Sequence, residues 1–342
     1  MKNNMRIDIV GGGISGFSSA ISLKKINSKI DVNVFEKNKE IGYNYEGKKC
    51  GEAHTVEKEW IKWDLEKNSY YNKIDMGIVQ VGNELYRYKH NNAFILNRPE
   101  FIYQLARKAE NLGVNIITDK KIIDINQLDG DYIIDASGCP SFIKKKFGFK
   151  KGIKGIGYQQ TIQNSNCFSN NTIKVWYTNE NGYFWIFPKD KTKKEINLGY
   201  GILIYNKSKN YKLNLKKKLE EFKLEKSLVG DIEYEVAGLI PIGLQPPLKF
   251  KNILFVGDAG VGCFPFQGQG IYRALLSGEI AGKCIANNKF NRYPYYIKKS
   301  FIKWDIIGKS FLFLCNQLGN LNKNLVYMCW NLIIDKIAQS LH

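Results

Sequence analysis

The chain lacks any uninterrupted run of about 18 apolar residues, the length that a membrane-crossing helix needs. Its best candidates, Phe311 to Cys315 and Leu325 to Ile334, are short or broken by asparagine. The opening residues, MKNNMRIDIVGGG, turn polar and glycine-rich too early for the hydrophobic region of a signal peptide. We therefore expect no export, a cytoplasmic location and, at most, peripheral contact with a membrane.

The cysteines lack the spacing of a metal site or of a disulfide framework. They are seven, an odd number, and include no C-x-x-C pair. They lie at positions 50, 139, 167, 263, 284, 315 and 329. We expect no metal, and a reducing compartment is the ordinary setting for such residues.

Arginine is scarce for a chain with so much positive charge. Only six of the 51 basic residues are arginine, and no arginine-rich stripe occurs, which argues against nucleic-acid binding. The net charge of +19 still favours an anionic partner, such as a lipid headgroup, a phosphorylated substrate or an acidic protein. Charge alone does not choose among these partners.

The first 36 residues predict a strand, a tight turn, a helix and a second strand. Gly11, Gly13 and Gly16 form the turn with the spacing G-x-G-x-x-G. In this pattern the first glycine makes the turn, the second lets a pyrophosphate approach the backbone, and the third allows close helix packing. The helix then begins with Ile14 and Ser15, whose N–H groups would face the phosphate.

Glu36 ends the second predicted strand, 20 residues after Gly16. From that position a carboxylate accepts hydrogen bonds from the ribose of an adenosine and disfavours a 2′-phosphate. The ligand predicted here is FAD or NAD, and not NADP. Three later glycines, Gly152, Gly155 and Gly157, have the wrong spacing and no following helix, so we interpret them as turn or β-bulge positions.

A second glycine-rich element separates FAD from NAD. Asp258 follows the apolar strand 252–256, and a turn with Pro265 then leads to Gly268 and Gly270 at a helix start. In flavoproteins that this run resembles, the aspartate holds the ribitol chain and the glycines let the flavin ring lie against backbone N–H groups. A plain NAD dehydrogenase has no need of such an element, so FAD is favoured.

The pattern of apolar residues predicts an α/β fold. Apolar residues make up 44% of the chain, ample for a core, and the length suggests about two domains. We expect a β-hairpin over 74–95 with Gly82-Asn83 at its turn, helices over 56–67, 98–112, 211–226 and 269–286, strands over 114–118 and 132–135, mostly antiparallel strands over 152–241, and two amphipathic helices over 295–342.

These elements predict a discontinuous FAD-binding Rossmann-like domain with an inserted antiparallel β-sheet substrate domain and C-terminal helices. We assign 1–70, 97–150 and 251–288 to the FAD-binding domain. The substrate domain would take 71–96 and 151–250, and the helical segment 289–342.

Taken together, the motifs resemble the geranylgeranyl reductase family, over about residues 5–290. The residues that carry the resemblance are GGGISGFSSA at 11–20, Glu36, Lys49-Cys50-Gly51, Asn97-Arg98, DASG at 135–138, YFWIFP at 183–188 and GDAG…GQGI at 257–271. The resemblance implies the glutathione reductase/p-hydroxybenzoate hydroxylase-like fold, bound FAD, and saturation of C=C bonds in polyprenyl chains. The chain is short after Gly282, where many members continue further.

The resemblance also implies a set of site residues. The cofactor-binding set is Gly11, Gly13, Ile14, Ser15, Gly16, Glu36, Lys49, Cys50, Gly51, Arg98, Ala136, Gly138, Gly257, Asp258, Gly268, Gly270 and Ile271. The substrate-binding set is Tyr183, Trp185, Phe187, Pro188 and Pro265. The catalytic candidates are Cys50 and His54, with the thiol placed on the substrate side of the flavin.

From the residues alone, the substrate-binding rings and the catalytic candidates each also fit a purely structural role. Alternation along a strand places Tyr183, Trp185 and Phe187 on one face, and such rings suit either an isoprenoid chain or ordinary sheet packing. Cys50 is a proton donor or a small packing residue, and His54 is a catalytic or a simple loop residue.

Three functions remain open at the level of the sequence. The first is a reductase of polyprenyl lipids, with basic residues meeting charged headgroups at an anionic membrane surface. The second is a monooxygenase of an aromatic or lipid substrate on the same fold, and the third is a non-enzymatic flavin-binding, membrane-associated protein. No second nicotinamide-binding motif is found, so electrons would come from an external donor, either reduced nicotinamide or a ferredoxin-like protein.

Overall fold

The computed structural model of the protein describes residues 5–43, 55–57, 65–150, 152–180, 182–204, 211–265 and 268–340. Its strands are β1 (Arg6–Val10), β2 (Asp31–Phe35), β3 (Thr55–Glu57), β4 (Tyr70–Val81), β5 (Glu84–Leu96), β6 (Asn115–Ile117), β7 (Tyr132–Asp135), β8 (Lys154–Gln163), β9 (Thr172–Tyr177), β10 (Gly182–Pro188), β11 (Ile196–Ile204), β12 (Asp231–Pro241), β13 (Lys249–Phe250) and β14 (Ile253–Phe255). Its helices are α1 (Ile14–Ile26), α2 (Arg98–Asn111), α3 (Phe142–Lys146), α4 (Tyr211–Glu225), α5 (Ile271–Ala286), α6 (Tyr293–Leu321) and α7 (Lys323–Ser340).

Six strands form a sheet with the order β13-β14-β7-β1-β2-β6. Every pairing in it is parallel except that of β13 with β14. The central strands are short and almost wholly buried, as expected of a parallel sheet covered on both faces. Because its strands run in one direction, the loops that follow β1, β2, β7 and β14 meet at the same edge.

Helix α1 packs closely on α5 through small residues. Ser18 and Ser22 donate hydrogen bonds from Oγ to the carbonyls of Leu275, at 2.7 Å, and Glu279, at 2.9 Å. A Cβ at Gly278 of α5 would come within 2.9 Å of Ser18 Cβ. The two helices can therefore approach at backbone distance, which holds the first glycine turn beside the start of α5.

Eight strands form the second sheet, with the order β12-β8-β11-β10-β9-β4-β5-β3. The hairpin of β4 and β5 turns at Gly82-Asn83, with Val81 opposite Glu84, which confirms that expectation. The sheet is antiparallel except where β4 runs parallel to β9. This mixed sheet beside a Rossmann-like sheet confirms the predicted fold class, while the domain boundaries stay a prediction.

Two local expectations are wrong. Residues 56–67 were expected to be helical, and 58–64 lie outside the described residues. At the two described ends, Thr55–Glu57 forms β3, with Val56 opposite Phe94 of β5, and Lys67–Ser69 forms a 3-10 turn. Cross-strand pairing here outweighs the helical spacing of the apolar residues.

The second correction concerns Gly155 and Gly157, which are regular positions of β8, neither turn nor bulge. Gly157 pairs with Gly201 of β11 on one side and with Gly238 of β12 on the other. The irregularity in this region lies instead in β12, between Ile232 and Tyr234.

The C-terminal helices α6 and α7 pack against both sheets. Trp330 of α7 stacks on Tyr177 of β9, with ring centroids 4.1 Å apart. Arg273 of α5 and Asp305 of α6 form a buried ion pair, with Nη1 and Oδ1 2.6 Å apart. Within the described part of the chain, no helix is both long and apolar enough to cross a membrane.

Candidate functional site

The glycine turn after β1 is shaped by close backbone contacts. Gly11 has φ of +109°, and a Cβ there would collide with the carbonyl oxygen of Ala136, at the end of β7. A Cβ at Gly16 would collide with the carbonyl oxygen of Gly11. By contrast, no atom of the described residues lies within 4 Å of the Cβ position of Gly13, the N-cap of α1. The turn is thus compact on its protein side and open at the helix start, where Ile14 and Ser15 are buried.

Glu36 is tied to this turn by its carboxylate. Its Oε2 accepts a hydrogen bond from Gly12 N at 2.8 Å, and its Oε1 accepts one from Asn38 N at 2.8 Å. The side chain is 8% exposed. Glu36 therefore joins the end of β2 to the glycine turn, and the ribose contact expected of it stays a prediction.

The loop after β7 forms a second open position. Gly138 has φ of +86°, and within the described part of the chain nothing lies within 4 Å of its Cβ position. The loop is held by Asp135, whose carboxylate accepts hydrogen bonds from Ser137 N at 3.0 Å and from the hydroxyls of Ser137 and Ser141. Burial raises the pKa of Asp135, against these hydrogen bonds. Sequence reasoning singled out this motif but missed that Asp135 supports the loop.

The 3-10 turn after β14 brings Asp258 to the same edge. Gly257 has φ of +53°, and a Cβ there would lie 2.9 Å from Ser15 Cβ, so this turn sits against the start of α1. Desolvation raises the pKa of the Asp258 carboxyl, while the charges of Arg98 and Arg273 oppose the rise. The Asp258 side chain is nevertheless exposed. Asp258 is therefore closely surrounded by protein atoms while its side chain keeps contact with solvent.

The start of α5 lies beside Asp258. The Cβ position of Gly270 is 3.9 Å from Asp258 Oδ1 and 3.7 Å from Cys263 Cβ. Oε1 of Gln269 is buried and has no hydrogen-bond partner within the described residues. Ile271 and Pro265 are buried, so they support this loop.

The strand β10 carries three aromatic rings on one face. Ring centroids are 5.7 Å apart for Tyr183 and Trp185, and 6.3 Å apart for Trp185 and Phe187. Their alternating neighbours face the other way, where Phe184 stacks on Phe222 of α4 at 4.2 Å. The opposite face packs against α4. The three rings form a separate row, which we call the aromatic wall, and its ends, Tyr183 and Phe187, also pack against buried clusters of the sheet. Pro188 ends β10 and is buried.

The aromatic wall reaches the glycine loop before α5. A Cβ at Gly268, which has φ of +65°, would lie 2.5 Å from the hydroxyl oxygen of Tyr183. Burial raises the pKa of Tyr183 well above 10, so its hydroxyl stays protonated at neutral pH. The indole Nε1 of Trp185 donates to Gln159 Oε1 at 3.3 Å, a partner that the sequence did not indicate.

Four predicted residues lie outside the described part of the chain. They are Lys49, Cys50, Gly51 and His54. Their roles stay predictions from the sequence. No group of three or more His, Cys, Asp or Glu side chains that could hold a metal ion occurs within the described ranges.

The remaining cofactor candidates gather at one edge of the parallel sheet and fit an FAD. Among the described residues, nothing fills the Cβ positions of Gly13 and Gly138, and the buried Oε1 of Gln269 has no hydrogen-bond partner. The turn that carries Asp258 lies against Ser15 of α1, and the Asp258 carboxylate lies near Gly270. An extended molecule with an adenosine at one end, a pyrophosphate in its middle and a flat ring at the other end matches this succession of glycine positions.

Comparison with known proteins agrees with this geometry. Residues 9–60 match the family model of an NAD(P)-binding Rossmann-like domain. The chain is 27% identical to a digeranylgeranylglycerophospholipid reductase of Methanocella arvoryzae, covering 84% of this chain and 79% of the relative. It is 28% identical to the protein of that name from Methanocaldococcus jannaschii, covering 83% of this chain and 78% of the relative.

Solved structures show the same fold. A geranylgeranyl bacteriochlorophyll reductase-like protein from Thermoplasma acidophilum superimposes with a TM-score of 0.79 at 20% identity, covering 95% of this chain and 90% of that one. A flavin-dependent brominase superimposes with a TM-score of 0.68 at 18% identity, covering 98% and 93%. The resemblance that the motifs indicate is confirmed: the chain has the fold of FAD-dependent enzymes and is a homologue of the digeranylgeranylglycerophospholipid reductases.

Proposed function

We propose that this protein is an FAD-dependent oxidoreductase that saturates C=C bonds of geranylgeranyl or other polyprenyl chains, in membrane lipids or in their precursors. The observation that carries the proposal is the contact between Tyr183 and Gly268. This contact joins the aromatic wall to the glycine loop before α5, the loop that would receive the flavin ring. Relatives named for this reduction support the substrate class.

The chain's own residues would hold the cofactor as an extended molecule. Gly11, Gly13 and Gly16 would receive the pyrophosphate at the start of α1, with Glu36 at the adenosine end. Further contacts would come from Ile14, Ser15, Lys49, Cys50, Gly51, Arg98, Ala136, Gly138, Gly257, Asp258, Gly268, Gly270 and Ile271. FAD, once bound and reduced by the external donor, would supply the hydride that this class of reduction needs.

The apolar chain would lie along Tyr183, Trp185 and Phe187, with Pro188 and Pro265 at the margins. Stiff rings of this kind bury an isoprenoid at low conformational cost. A proton must also reach the carbon beside the one that receives hydride. The aromatic wall offers little acidity, because burial raises the pKa of Tyr183 far above neutrality. We assign the role of proton donor to Cys50, with His54, four residues further along the chain, as the second catalytic candidate.

Two further partners belong to this proposal. Electrons would come from an external donor, reduced nicotinamide or a ferredoxin-like protein. The lipid would be reached at an anionic membrane surface, through the net charge of +19. The protein would then work in phospholipid biosynthesis as a peripheral membrane protein of the cytoplasm.

One experiment separates the possible functions. The bound flavin is photoreduced without oxygen, and a geranylgeranyl lipid is then added in detergent. Return of the oxidised-flavin spectrum, with a lipid gaining two mass units per saturated bond, supports the reductase. Reoxidation only by O₂, with hydroxylation of an aromatic acid, would instead establish a monooxygenase. A flavin that neither lipid nor O₂ with the acid reoxidises productively would indicate a binding protein.

A further inference from the structure

Helix α6 exposes two rows of large apolar side chains. One row is Tyr295, Ile302, Ile306 and Phe313, of which Ile306 and Phe313 are each 59% exposed. The other is Tyr296, Ile307 and Leu314, each at least 36% exposed. Exposed apolar residues are normal when scattered singly, whereas a continuous patch marks an interaction surface. We call these two rows, with the residues between them, the α6 outer face.

The spacing of the rows makes the face long and straight. Successive members of the first row are seven, four and seven residues apart, which returns each side chain to nearly the same side of a helix. From Tyr295 to Phe313 the helix rises about 27 Å at 1.5 Å per residue. On the adjoining helix α7, Met328 and Leu332, four residues apart, are 60% and 66% exposed.

The charges on this face have one sign. Lys299 and Lys303 lie between the two rows and are exposed, as is Lys298. Asp305 is the only acidic residue of α6, and its side chain is 3% exposed because it is paired with Arg273. The one carboxylate of the helix is therefore turned inward and neutralised, and the α6 outer face presents only cations among its apolar rows.

This combination decides between the possible occupants. A second copy of this chain would bring the same lysines and a net charge of +19 against them, which opposes self-association. An anionic lipid surface matches both features, since apolar side chains enter the acyl boundary while lysines meet the headgroups.

The inner side of the same helix leads to the aromatic wall. Leu312 and Cys315 are buried in a cluster that includes Tyr177, with Tyr183 packed against it. The thickness of one helix, about 10 Å, therefore separates the outer face from the row of rings proposed to hold the polyprenyl chain.

We propose that the α6 outer face, with Met328 and Leu332 of α7, docks the protein on an anionic lipid surface, with α6 lying in the plane of the membrane. This inference rests on the proposed function only in naming the source of its lipid substrate. Docking itself requires no catalysis and can be measured apart from it.

The apolar part is tested by co-sedimentation with vesicles of phosphatidylcholine alone and of phosphatidylcholine mixed with phosphatidylglycerol. Ile306→Glu with Phe313→Glu should lose binding to the mixed vesicles. The matched control is Leu224→Glu with Ile123→Glu, at apolar residues 80% and 68% exposed elsewhere, which should bind like the unaltered protein. Flavin absorbance and the thermal midpoint verify that each variant is folded.

The charge part uses Lys299→Gln with Lys303→Gln. Removing two basic residues near an anionic surface should weaken binding about thirtyfold at low salt, and added salt should reduce the difference. The control is Lys145→Gln with Lys217→Gln, two exposed lysines of other helices, for which little change is expected.

Equal binding of the unaltered protein to neutral and anionic vesicles overturns the proposal, as does equal loss in both glutamate pairs. So does a stable dimer in light scattering that only Ile306→Glu with Phe313→Glu dissolves, because the face would then be occupied by a second copy. Failure of the reductase proposal gives a different result. In that case lipid in detergent does not reoxidise the reduced flavin, and this assay contains no vesicles.

Discussion

The indole of Trp185 lies against Gly199, its partner on the neighbouring strand β11, so closely that no Cβ fits between them. Two further glycines border the same ring, since the Cβ positions of Gly201 and Gly157 lie 3.4 Å and 3.7 Å from it. The glycine backbone of β8 and β11 therefore packs directly against Trp185, the central ring of the aromatic wall.

Gly199→Ala should displace that ring. Overpacking of this kind costs roughly 1–3 kcal/mol of stability, and the lipid-driven reoxidation of flavin should fall because the wall is disordered. The control is Gly238→Ala, in the same sheet, where no described residue comes within 4 Å of the Cβ position. Denaturant unfolding and single-turnover reoxidation measure both effects, and equal behaviour of the two variants would contradict the account.

Glu36→Ala should weaken FAD binding. It removes the acceptor of two backbone N–H groups, those of Gly12 and Asn38, and hydrogen bonds to a charged group contribute about 1–3 kcal/mol. We expect FAD to bind about 10- to 100-fold less tightly, measured by flavin fluorescence, while Glu40→Ala at an exposed position leaves it unchanged. Recovery of FMN, or of colourless protein that binds NAD tightly, would show that the cofactor assignment is wrong.

Cys50→Ala and Cys50→Ser test the proton donor predicted from the sequence. Both should keep FAD and its absorbance, whereas saturation of the double bond should fall at least ~10²-fold, the low end for loss of a general acid. Cys167→Ala is the matched control. If Cys50→Ala turns over at the unaltered rate, the thiol is a packing residue, and His54, Tyr183 or an ordered water supplies the proton.

Trp185→Ala should act on binding of the chain instead. Truncation of a buried aromatic residue costs roughly 3–5 kcal/mol, and the partial burial of Trp185 places the expected loss toward the lower end. A titration of single-turnover reoxidation with lipid separates this effect from that of Cys50. A maximal rate that falls while the half-saturating lipid concentration stays constant would contradict a role in binding.

Lys144 should make stability depend on pH. Burial lowers the pKa of its ammonium from 10.5 to about 8, so between these values the unfolded chain holds more protons than the folded protein. Stability from this group therefore rises with pH across that window, by at most about 3 kcal/mol. Lys144→Met should lose this rise, and Lys145→Met, at an exposed neighbour, should keep it. Parallel slopes from pH 8 to pH 10.5 in all three proteins would refute the assignment.

Removing one partner of the buried ion pair between Arg273 and Asp305 should lower the free energy of unfolding strongly. The guanidinium is also 4.9 Å and 4.4 Å from the ring centroids of Phe264 and Phe301. Asp305→Asn leaves the buried Arg273 uncompensated, and we expect a loss of about 3–5 kcal/mol. Breaking the exposed pair Lys217–Glu221 should cost ~0–1 kcal/mol. Denaturant unfolding compares them, and similar small losses would contradict this view.

The sequence by itself determined the parallel sheet and its phosphate turn. Short runs such as Arg6–Val10 and Tyr132–Asp135 are apolar enough to be buried on both faces. The glycine spacing at 11–16 is a local pattern that predicts the turn, although the close contact of Gly11 is with Ala136, after β7. The alternation of rings in YFWIFP likewise predicted their common face, because side chains of a strand alternate whatever lies beside it. Local rules were sufficient in each case.

Tertiary structure alone decided what those elements meet. At the start of the range 56–67, where a helix was expected, Val56 pairs with Phe94 of β5. Gly157 is a strand residue that pairs with Gly201 of β11 and Gly238 of β12. The approach of Tyr183 to Gly268 joins residues 85 positions apart, and the inward turn of Asp305 depends on Arg273 of another helix. Such contacts depend on packing between distant segments, and no local pattern of residues encodes them.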